Sequence, residues 1–372
     1  MRILLAAGIF FPDIGGPAIH VRKIAERLVK EGFDVQVVAY GDDPSQTRFD
    51  FQVTRVSRTW PKALQWLFYL ALVIRYSAFS TLVYAFDPTA SGVLARIGAL
   101  LFNKPFLIRV GGDPIWEREA EMGKRLMPIN NYYEQGLYLK DKPLLYKIIR
   151  KLLRSADKIV VYNQNFKNFY VKYFDASSEN IVIIKNPVFR REQGLLELPY
   201  KSTILFAGRF VSYKNLAMVI RVLKNLPQSH LTLIGSGPDK KSLQLLAENL
   251  QLQHRVEFLD ALPQEKLFRH IKSSAICIGP ALSEFNPNFI LEALSFGKPV
   301  LLSRGHGLSV DLPEEFLFDP MNQQELEDKL SQLLKPDNYT KAVRVINNLD
   351  LNQNWEDVTD AHLNIIKDII RE

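Results

Sequence analysis

The sequence predicts an α/β protein with two Rossmann-like domains, each built on a doubly wound parallel sheet. Short apolar runs of strand length alternate with longer amphipathic segments, which is the pattern of a parallel sheet covered by helices. The runs form two series, separated by the segment "IVIIKNPVFRREQGLLELPYKS". A length of 372 residues is enough for two domains that each bury a core of their own.

The apolar runs set the predicted domain boundaries. The first series comprises "RILLAAG", "DVQVVAY", "STLVYAF", "PFLIRVGG" and "KIVVYN", and the second comprises "TILFAG", "LTLIG", "VEFLD", "AICIGP" and "PVLLS". We therefore place an N-terminal domain at residues 1–185 and a C-terminal domain at 186–354. The last segment, 355–372, has the Ile and Leu spacing of an amphipathic helix that packs on another element.

Cysteine usage and the first residues indicate where the protein works. Cys277 is the single cysteine and lies in the apolar string "SAICIGP", so we interpret it as a core residue in a reducing compartment. The opening "MRILLAAGIFFPD" is interpreted as a first strand rather than a signal peptide. Its apolar run is short, and Asp13 with a Gly pair follows where a small-residue cleavage site is expected. Together these features predict a cytoplasmic protein.

The most hydrophobic segment is "ALQWLFYLALVI" at residues 63–74. It is shorter than the roughly 20 apolar residues that a membrane span needs, and Arg75 closes it. We interpret it as a buried helix by its length and flanks. A helix lying on a membrane surface is the alternative.

Basic residues are concentrated between Lys124 and Lys158, in a chain with a formal net charge of +7. Such a surface attracts anionic lipid or a phosphorylated acceptor, although a solvated helix face would look the same. A peripheral contact with the inner face of the cell membrane is therefore kept as an alternative location. No nucleic-acid motif accompanies the basic stretch, so nucleic acid is excluded as the expected partner.

Open parallel sheets bind ligands beyond the carboxyl ends of their strands, so the residues that follow each strand are the candidates. After the first strand come Gly15, Gly16 and Pro17. Glycine lets a ligand approach the backbone, Pro suits a helix start, and the unpaired amides of that helix would favour an anion. A tight turn would use the same residues.

Two more strands of the second series are followed by candidate residues. Arg209 and Lys214 come after "ILFAG", where two cations suit a diphosphate, since Arg grips two oxygens and Lys supplies a point charge. Two exposed basic residues in a loop are the alternative. Gly235 and Gly237 come after "LTLIG". They do not form the dinucleotide fingerprint, so a plain turn is favoured over a contact with a nucleotide base.

The stretch "LSEFNPNFILEALSFGKPV" predicts a short helix with carboxylates before and within it. Asn286 is expected to cap the helix, Pro287 to open it and Gly297 to follow its end. Glu284 then lies in the preceding loop and Glu292 within the helix. A buried ionised carboxylate costs several kcal/mol unless partners compensate it. Sugar or ribose hydroxyls would do so; a cap or an internal ion pair is the alternative.

In this order and spacing, "GRFVSYKN", "LIGSGP" and "SEFNPNFILEALSFGKPV" resemble the retaining glycosyltransferases of the GT-B fold, in particular the large family-four group (glycosyl transferases group 1). The opening "GGPAIHVRKIAERLVKEGFDVQVV" is similar as well, and the resemblance covers nearly the whole chain. It implies transfer of a sugar from a nucleotide-diphosphate sugar to a glycan or lipid-linked acceptor in polysaccharide or glycolipid biosynthesis. Retention of anomeric configuration is implied too, with no metal and no cofactor beyond the donor co-substrate.

The same resemblance implies roles for individual residues. Arg209 and Lys214 would neutralise the donor diphosphate, Glu292 would hold ribose hydroxyls, and Glu284 would contact hydroxyls of the transferred sugar. Gly16 would lie under the diphosphate, and the terminal helix would cross back onto the first domain. The wider donor-binding set that it implies is Gly15, Gly16, Gly208, Arg209, Lys214, Gly235, Gly237, Glu284, Asn286, Asn288, Phe289 and Glu292.

The chain departs from the family pattern near the acceptor. Many relatives carry a His after the strand equivalent to "PFLIRV", whereas the loop here reads "GGDPIWE". Asp113 is the nearest candidate to assist the acceptor hydroxyl, with Arg109 or Glu117 nearby. The missing His keeps a catalytically silent nucleotide-sugar-binding protein as an alternative. A GT-B sugar-nucleotide epimerase or hydrolase is a further alternative.

The expected sugar pocket also departs from the family pattern. Phe285, Asn286 and Pro287 stand where relatives often have small residues, and Asn215 replaces a common Gly after Lys214. These substitutions predict a pocket that is shaped for an unusual donor.

Overall fold

The computed structural model describes residues 1–13, 15–43, 47–191 and 202–371. The chain divides into two compact units. The first comprises Met1–Ile115, Tyr138–Pro187 and Gln353–Glu372, and the second comprises Trp116–Leu137 and Val188–Asn352. One unit contains a seven-stranded parallel sheet and the other a six-stranded parallel sheet. The predicted fold class of two parallel-sheet α/β units is confirmed.

The first unit is organised around strand β1, which lies inside its sheet. Its strands are β1 (Arg2–Ala7), β2 (Asp34–Tyr40), β3 (Gln52–Val56), β4 (Leu82–Ala85), β5 (Phe106–Arg109), β6 (Lys158–Val161) and β7 (Ile181–Ile183). They are ordered β3-β2-β1-β4-β5-β6-β7. Leu4 is in register with Gln36 of β2 on one side and with Val83 of β4 on the other.

Helices follow most of these strands, as the alternating pattern predicts. In the first half of the chain they are α1 (Gly16–Lys30), α2 (Lys62–Ala78), α3 (Ala90–Leu101), α4 (Pro114–Glu121), α5 (Ile129–Glu134), α6 (Tyr138–Asp141), α7 (Pro143–Arg154) and α8 (Gln164–Phe174). Helix α5 belongs to the second unit, and α4 crosses the boundary between the two groups of residues.

The second unit has the strand order β11-β10-β9-β12-β13-β14. Its strands are β8 (Val188–Phe189), β9 (Ser202–Ala207), β10 (Ser229–Ile234), β11 (Val256–Leu259), β12 (Ile276–Gly279), β13 (Val300–Ser303) and β14 (Leu317–Phe318). Its later helices are α9 (Leu216–Leu223), α10 (Lys240–Asn249), α11 (Gln264–Ser273), α12 (Asn288–Ser295), α13 (Gln323–Leu333) and α14 (Pro336–Asn347). Strand β15 (Asn352–Gln353) pairs with β8.

Helix α15 (Trp355–Arg371) ends the described chain and groups with the first unit. Val358, Leu363 and Ile366 are buried in one cluster with residues of β1 and α1. Salt bridges flank this packing, because Arg27 of α1 pairs with Asp360 at 2.6 Å and Lys367 pairs with Glu31 at 2.7 Å. The Ile and Leu spacing that predicted an amphipathic helix thus corresponds to its buried face.

Cys277 is buried in strand β12, in the core of the second unit. Burial raises the pKa of its thiol to about 12, because a thiolate would lose its hydration there. The prediction that Cys277 is a core residue is confirmed.

One segment groups differently from the boundary expected at residue 185. Residues Trp116–Leu137 cluster with the second unit. The buried ring of Trp116 lies 5.3 Å from the ring of Tyr213, centroid to centroid, and the Ile129 N–H donates to Ser283 Oγ at 3.0 Å. The strand series did not reveal this grouping, because the segment contains helices and no strand among its described residues.

Helix α2 is not the buried helix that its composition predicted. Only one narrow stripe of it is buried, formed by Gln65, Tyr69, Val73 and Ser77. Trp66, Leu67 and Phe68 are 53%, 62% and 50% exposed. Apolar composition does not specify which neighbour covers a helix, so the two interpretations could be separated only by the structure. Within the described residues, none of the helices combines the length and the apolar character needed to cross a bilayer.

Gly235 is required by a close approach of two loops. Its φ is 144°, and a Cβ at this position would lie 1.9 Å from the carbonyl oxygen of Gly208. The loops after β9 and β10 therefore pack backbone to backbone at this point. Gly237 is similar, since its Cβ would lie 2.3 Å from the carbonyl oxygen of Phe210.

We expect Gly235→Ala to lower the free energy of unfolding by more than about 2 kcal/mol, because it adds a steric clash to an unfavourable φ. Gly136→Ala is the matched control, since Gly136 also has a positive φ of 64° but nothing lies within 4 Å of its Cβ position. The control should lose only about 1 kcal/mol. Urea unfolding measures both variants, and equal losses would contradict the proposed loop contact.

Candidate functional site

The candidate site lies where the strand order of the second sheet reverses. From β9 the chain first adds β10 and β11 on one side and then returns to place β12 on the other, next to β9. Loops that leave two such neighbouring strands diverge, and the crevice between them is the usual ligand site of an open parallel sheet. The loops after β9 and β12 carry Lys214 and Glu284.

Lys214 and Glu284 meet in an ion pair. Lys214 ends a short 3₁₀ turn, Ser212–Lys214, that follows β9, and its Nζ donates to Oε2 of Glu284. The two side chains are only 14% and 19% exposed. Because water is largely excluded from the pair, removing either partner would leave a poorly solvated charge. The structure therefore brings together one predicted cation and one predicted carboxylate.

A pocket that opens to solvent surrounds this ion pair. Its walls are mostly apolar and include Phe206, Ile278, Ile290 and Leu302. Polar groups come from Lys214, Glu284 and His306. An apolar cleft with a few convergent polar groups is typical of small-molecule sites.

His306 is a pocket residue that the sequence analysis missed. Its Nδ1 accepts a hydrogen bond from the Leu308 N–H at 3.0 Å. Burial lowers the pKa of His306 to about 4, although Asp311 acts in the opposite direction. The imidazole is therefore neutral at pH 7, and its proton lies on Nε2, which can donate to a ligand. The glycines on either side of His306 in "RGHG" were the sequence feature that could have marked it as a candidate site residue.

Tyr213 lies close to the ion pair and is also affected by the charge of Arg209. Its ring centre lies 5.1 Å from Lys214 Nζ. Burial, followed by the negative charge of Glu284, raises the pKa of the Tyr213 hydroxyl, while Arg209 opposes the shift. Arg209 and Glu284 therefore both lie within electrostatic range of one tyrosine. Tyr213 was not predicted from the sequence, although it directly precedes Lys214.

Arg209 itself does not line the pocket. Its side chain is 66% exposed and donates from Nη1 to Oε1 of Glu121 at 2.7 Å. Glu121 belongs to helix α4, in the part that groups with the second unit. This partner was not predicted, because the expected boundary placed Glu121 in the first domain.

Glu292 has a separate environment. It lies within α12, as predicted, and its Oε1 accepts from Nε2 of Gln264 at 2.8 Å. Burial raises the pKa of the Glu292 carboxyl, while the Gln264 hydrogen bond and the charge of Arg191 lower it. Glu292 is absent from the residues that line the pocket around Glu284. The structure does not bring the two glutamates into contact.

The predicted cap of α12 was wrong. Pro287 occupies the N-cap position, the helix begins at Asn288, and no side chain caps it. The amide nitrogen and oxygen of Asn286 are instead shielded from solvent, and neither hydrogen-bonds to a described residue. Proline was expected to open the helix, but the chain is still extended there, at a ψ of 97°. Gly297 follows the end of the helix with a φ of 68°, as predicted.

The remaining donor-side candidates occupy the loops and the helix start of the second unit. Phe289 lines the pocket, with its ring 6.3 Å from that of Phe206, centroid to centroid. Asn288 is exposed at the first position of α12. Gly208, Gly235 and Gly237 belong to the tightly packed loops after β9 and β10. The close packing of these loops is a sufficient reason for glycine at these positions, so no ligand is needed to explain them.

The glycine pair in the first unit forms the predicted helix start. Gly15 is the N-cap of α1, Gly16 is its first residue and Pro17 follows. This sequence comes after β1, which neighbours β4 at the point where the order of the first sheet reverses. The same edge holds Asp87, a residue that sequence analysis missed. Asp87 accepts hydrogen bonds from the Thr89 N–H at 2.8 Å and from Ser91 Oγ, which gives it a local structural role at the start of α3.

Asp113 and Arg109 are both buried in the first unit. Asp113 Oδ1 accepts from the Ile115 N–H at 2.8 Å. Arg109 donates from Nη2 to Asn186 Oδ1 at 2.7 Å, and the same nitrogen lies 3.2 Å from His20 Nε2. These contacts tie both side chains to the protein itself. They do not present an accessible carboxylate for an acceptor.

Comparisons with known families match both halves of the chain. Residues 14–189 match the family described as Glycosyltransferase Family 4, and residues 192–349 match the family described as Glycosyl transferases group 1. An uncharacterized glycosyltransferase of Methanocaldococcus jannaschii is 23% identical over 83% of this chain and 82% of its own length. A sulfoquinovosyl transferase of Arabidopsis thaliana is 30% identical over 40% of this chain and 30% of its own length.

Solved structures share the fold at low sequence identity. Sucrose-phosphate synthase from Thermosynechococcus elongatus matches with a TM-score of 0.77 and 17% identity, covering 100% of this chain and 99% of that one. Anabaena HepE in complex with UDP matches with a TM-score of 0.75 and 16% identity, covering 99% and 100%. These neighbours are glycosyltransferases of the GT-B fold.

We expect Glu292→Gln to raise the melting temperature at pH 7. Burial raises the folded-state pKa of Glu292 above its unfolded value, so the protonated form stabilises the fold at low pH. That stability is lost as the pH rises through the folded pKa. The gain from Glu292→Gln should therefore disappear at about pH 4. Glu265→Gln on α11 is the exposed control, and a pH-independent gain at Glu292 would contradict the burial effect.

Proposed function

We propose that this chain, which belongs to the group 1 and family 4 glycosyltransferases, transfers a sugar from a nucleotide-diphosphate sugar to a glycan or lipid-linked acceptor. The structures of Anabaena HepE in complex with UDP, and with UDP and glucose, support a uridine nucleotide as the first donor to test. We further propose that the anomeric configuration is retained, which the family resemblance supports.

The observation that carries this proposal is the ion pair of Lys214 and Glu284 in its pocket. Cleavage of the bond between sugar and phosphate builds negative charge on the leaving diphosphate. Lys214 would exchange Glu284 for that diphosphate, and Glu284 would then accept hydrogen bonds from sugar hydroxyls. A cation that meets more charge in the transition state than in the ground state accelerates the reaction.

Other residues of the second unit complete the proposed donor site. We assign Arg209 to the diphosphate, because its exposed side chain is held by a surface ion pair with Glu121 and such pairs are weak. Glu292 would accept ribose hydroxyls in addition to the Gln264 hydrogen bond. In this proposal the side chains of Lys214 and Arg209 neutralise the diphosphate, and no such step is assigned to a metal ion. His306 would donate from Nε2 to the sugar.

We assign no acceptor-activating base. Asp113 is buried and its Oδ1 already holds the Ile115 N–H, so it does not have the exposure that a base for the acceptor hydroxyl needs. This observation favours the second candidate function, a nucleotide-sugar-binding protein without turnover. A donor epimerase or hydrolase is the third outcome that an assay must separate.

The test incubates the protein with a panel of nucleotide sugars, with and without crude lipid and glycan acceptors, and follows nucleotide release. Acceptor-dependent release is expected, and NMR of the product reports its anomeric configuration. Donor binding without release, detected by thermal stabilisation, would instead establish the silent binding protein. Release without acceptor, or an isomerised donor, would establish the hydrolase or the epimerase.

We expect Lys214→Ala to lower turnover by about one to three orders of magnitude, the range for losing one charge-stabilising contact. Lys224→Ala is the matched control, because Lys224 is exposed at the end of α9. The control should leave turnover unchanged. If Lys214→Ala and Lys224→Ala were equally active, Lys214 would have no role in the transfer.

A further inference from the structure

Helix α2 of the first unit presents an apolar stripe to solvent. Leu64, Leu67, Phe68 and Ala71 recur at helical spacing and are exposed, on the side opposite the stripe that packs on the protein. A surface helix of a soluble protein normally carries polar residues there. Contiguous exposed apolar surface of this kind marks an interaction site.

Two further helices extend this surface. Helix α3 packs against both α2 and α7, and Gly98 brings the backbones of α2 and α3 together, since its Cβ would lie 3.0 Å from the Val73 carbonyl oxygen. The exposed large apolar side chains that these two helices and their ends contribute are Ile97, Leu100, Leu101, Phe102, Leu144 and Ile148. We call the outward faces of α2, α3 and α7 the three-helix face.

The charges on the three-helix face have one sign. None of the three helices contains an Asp or a Glu. The basic residues that they carry are Lys62, Arg75, Arg96, Lys147, Arg150, Lys151 and Arg154. Arg150 pairs with Asp175, and Asp141 and Asp157 flank α7 in sequence, but Lys62, Arg75, Lys147, Lys151 and Arg154 are exposed.

We infer that the three-helix face docks on an anionic lipid bilayer. Aromatic and aliphatic side chains on an amphipathic surface enter the boundary between headgroups and acyl chains, while Lys and Arg contact anionic headgroups. Helix α2 has 17 residues and lies in the interface plane, as interfacial helices do. Segment 63–74, which was predicted to be a buried helix, is therefore interpreted as a helix that lies on a membrane surface.

A second copy of this chain is a poorer occupant of the same face. A twofold dimer would place the same patch on both partners, so the lysines and arginines of one copy would face those of the other. Like charges brought together at an interface disfavour association. An anionic bilayer satisfies the apolar and the basic residues at the same time.

The test uses the full chain and sedimentation with vesicles, either of phosphatidylcholine alone or with about 30% phosphatidylglycerol. We expect at least about tenfold more binding to the anionic vesicles, and a decrease at about 0.5 M salt, where charges are screened. No binding to either vesicle, or equal binding to both, would overturn the inference. The readout does not involve nucleotide release, so its failure is distinct from failure of the proposed transfer reaction.

Two pairs of substitutions locate the contact. Leu67→Ser with Phe68→Ser removes apolar area and should weaken binding by about tenfold or more. Lys147→Glu with Lys151→Glu should have a similar effect on anionic vesicles only. Unchanged binding of both double variants would remove the three-helix face from the interaction.

Matched controls come from exposed residues of the second unit. Leu245→Ser with Met321→Ser controls for lost apolar surface, and Lys266→Glu with Arg269→Glu on α11 controls for charge reversal. Both controls should bind vesicles like the unmodified chain. A dimer in solution that Leu67→Ser with Phe68→Ser dissociates, in a chain that binds no vesicles, would identify a second copy as the occupant and overturn the inference.

Discussion

The reversal of strand order between β9 and β12 is the constraint on which the site in the second unit depends. Lys214 and Glu284 are 70 residues apart in sequence, yet they meet because each follows one of these two neighbouring strands. The pocket walls have the same origin, since Ala207 ends β9 and Gly279 ends β12. Parallel pairing puts these strand ends at one edge of the sheet, and the diverging loops leave room for a ligand between them.

Glu284 and Glu292, the two predicted site glutamates, lie in different electrostatic environments. Glu284 has a cation as its direct partner, whereas Glu292 has the neutral amide of Gln264 and a raised pKa. In the proposed reaction a diphosphate competes with Glu284 for Lys214, and charge-assisted contacts to phosphate are strong enough to make that exchange favourable. The amide of Asn286, shielded and without a hydrogen bond to a described residue, adds to the polar groups that this part of the unit leaves poorly satisfied. Such groups cost stability and are common at functional sites.

The fold class, the helix start at Gly15 and Gly16, and the candidacy of Lys214 and Glu284 were accessible from sequence, because they follow from strand periodicity and from the rule on carboxyl ends. The ion pair between Lys214 and Glu284 was not predicted, since the sequence analysis assigned each of them to a ligand. The partner of Arg209 was not accessible, since Glu121 precedes the predicted boundary and only tertiary packing groups it with the second unit. The Asn286 cap failed because backbone geometry, not residue type, decides whether a side chain reaches the helix amides. Tyr213 and His306 were missed because their roles come from residues that are distant in sequence: the charge of Glu284 acts on Tyr213, and His306 lines a pocket with Lys214.

Helix α2 shows most clearly where composition alone does not decide. Its segment is apolar on nearly every side, so the same sequence is compatible with a buried helix and with a surface helix. In the structure only four residues, spaced four apart, face inward, and this identifies a surface helix. Fully burying a Leu or Phe side chain gains roughly 1.5–3 kcal/mol, and the half-exposed Leu67 and Phe68 would gain part of that on being covered. A folded chain that leaves several such side chains uncovered therefore has an apolar surface that a partner can stabilise. Because α2, α3 and α7 contain no acidic residues, that surface should prefer anionic lipid to neutral lipid, in addition to binding lipid through its apolar side chains. The apolar term is independent of headgroup charge, whereas the basic term depends on it, so selectivity for an anionic surface must arise from the lysines and arginines.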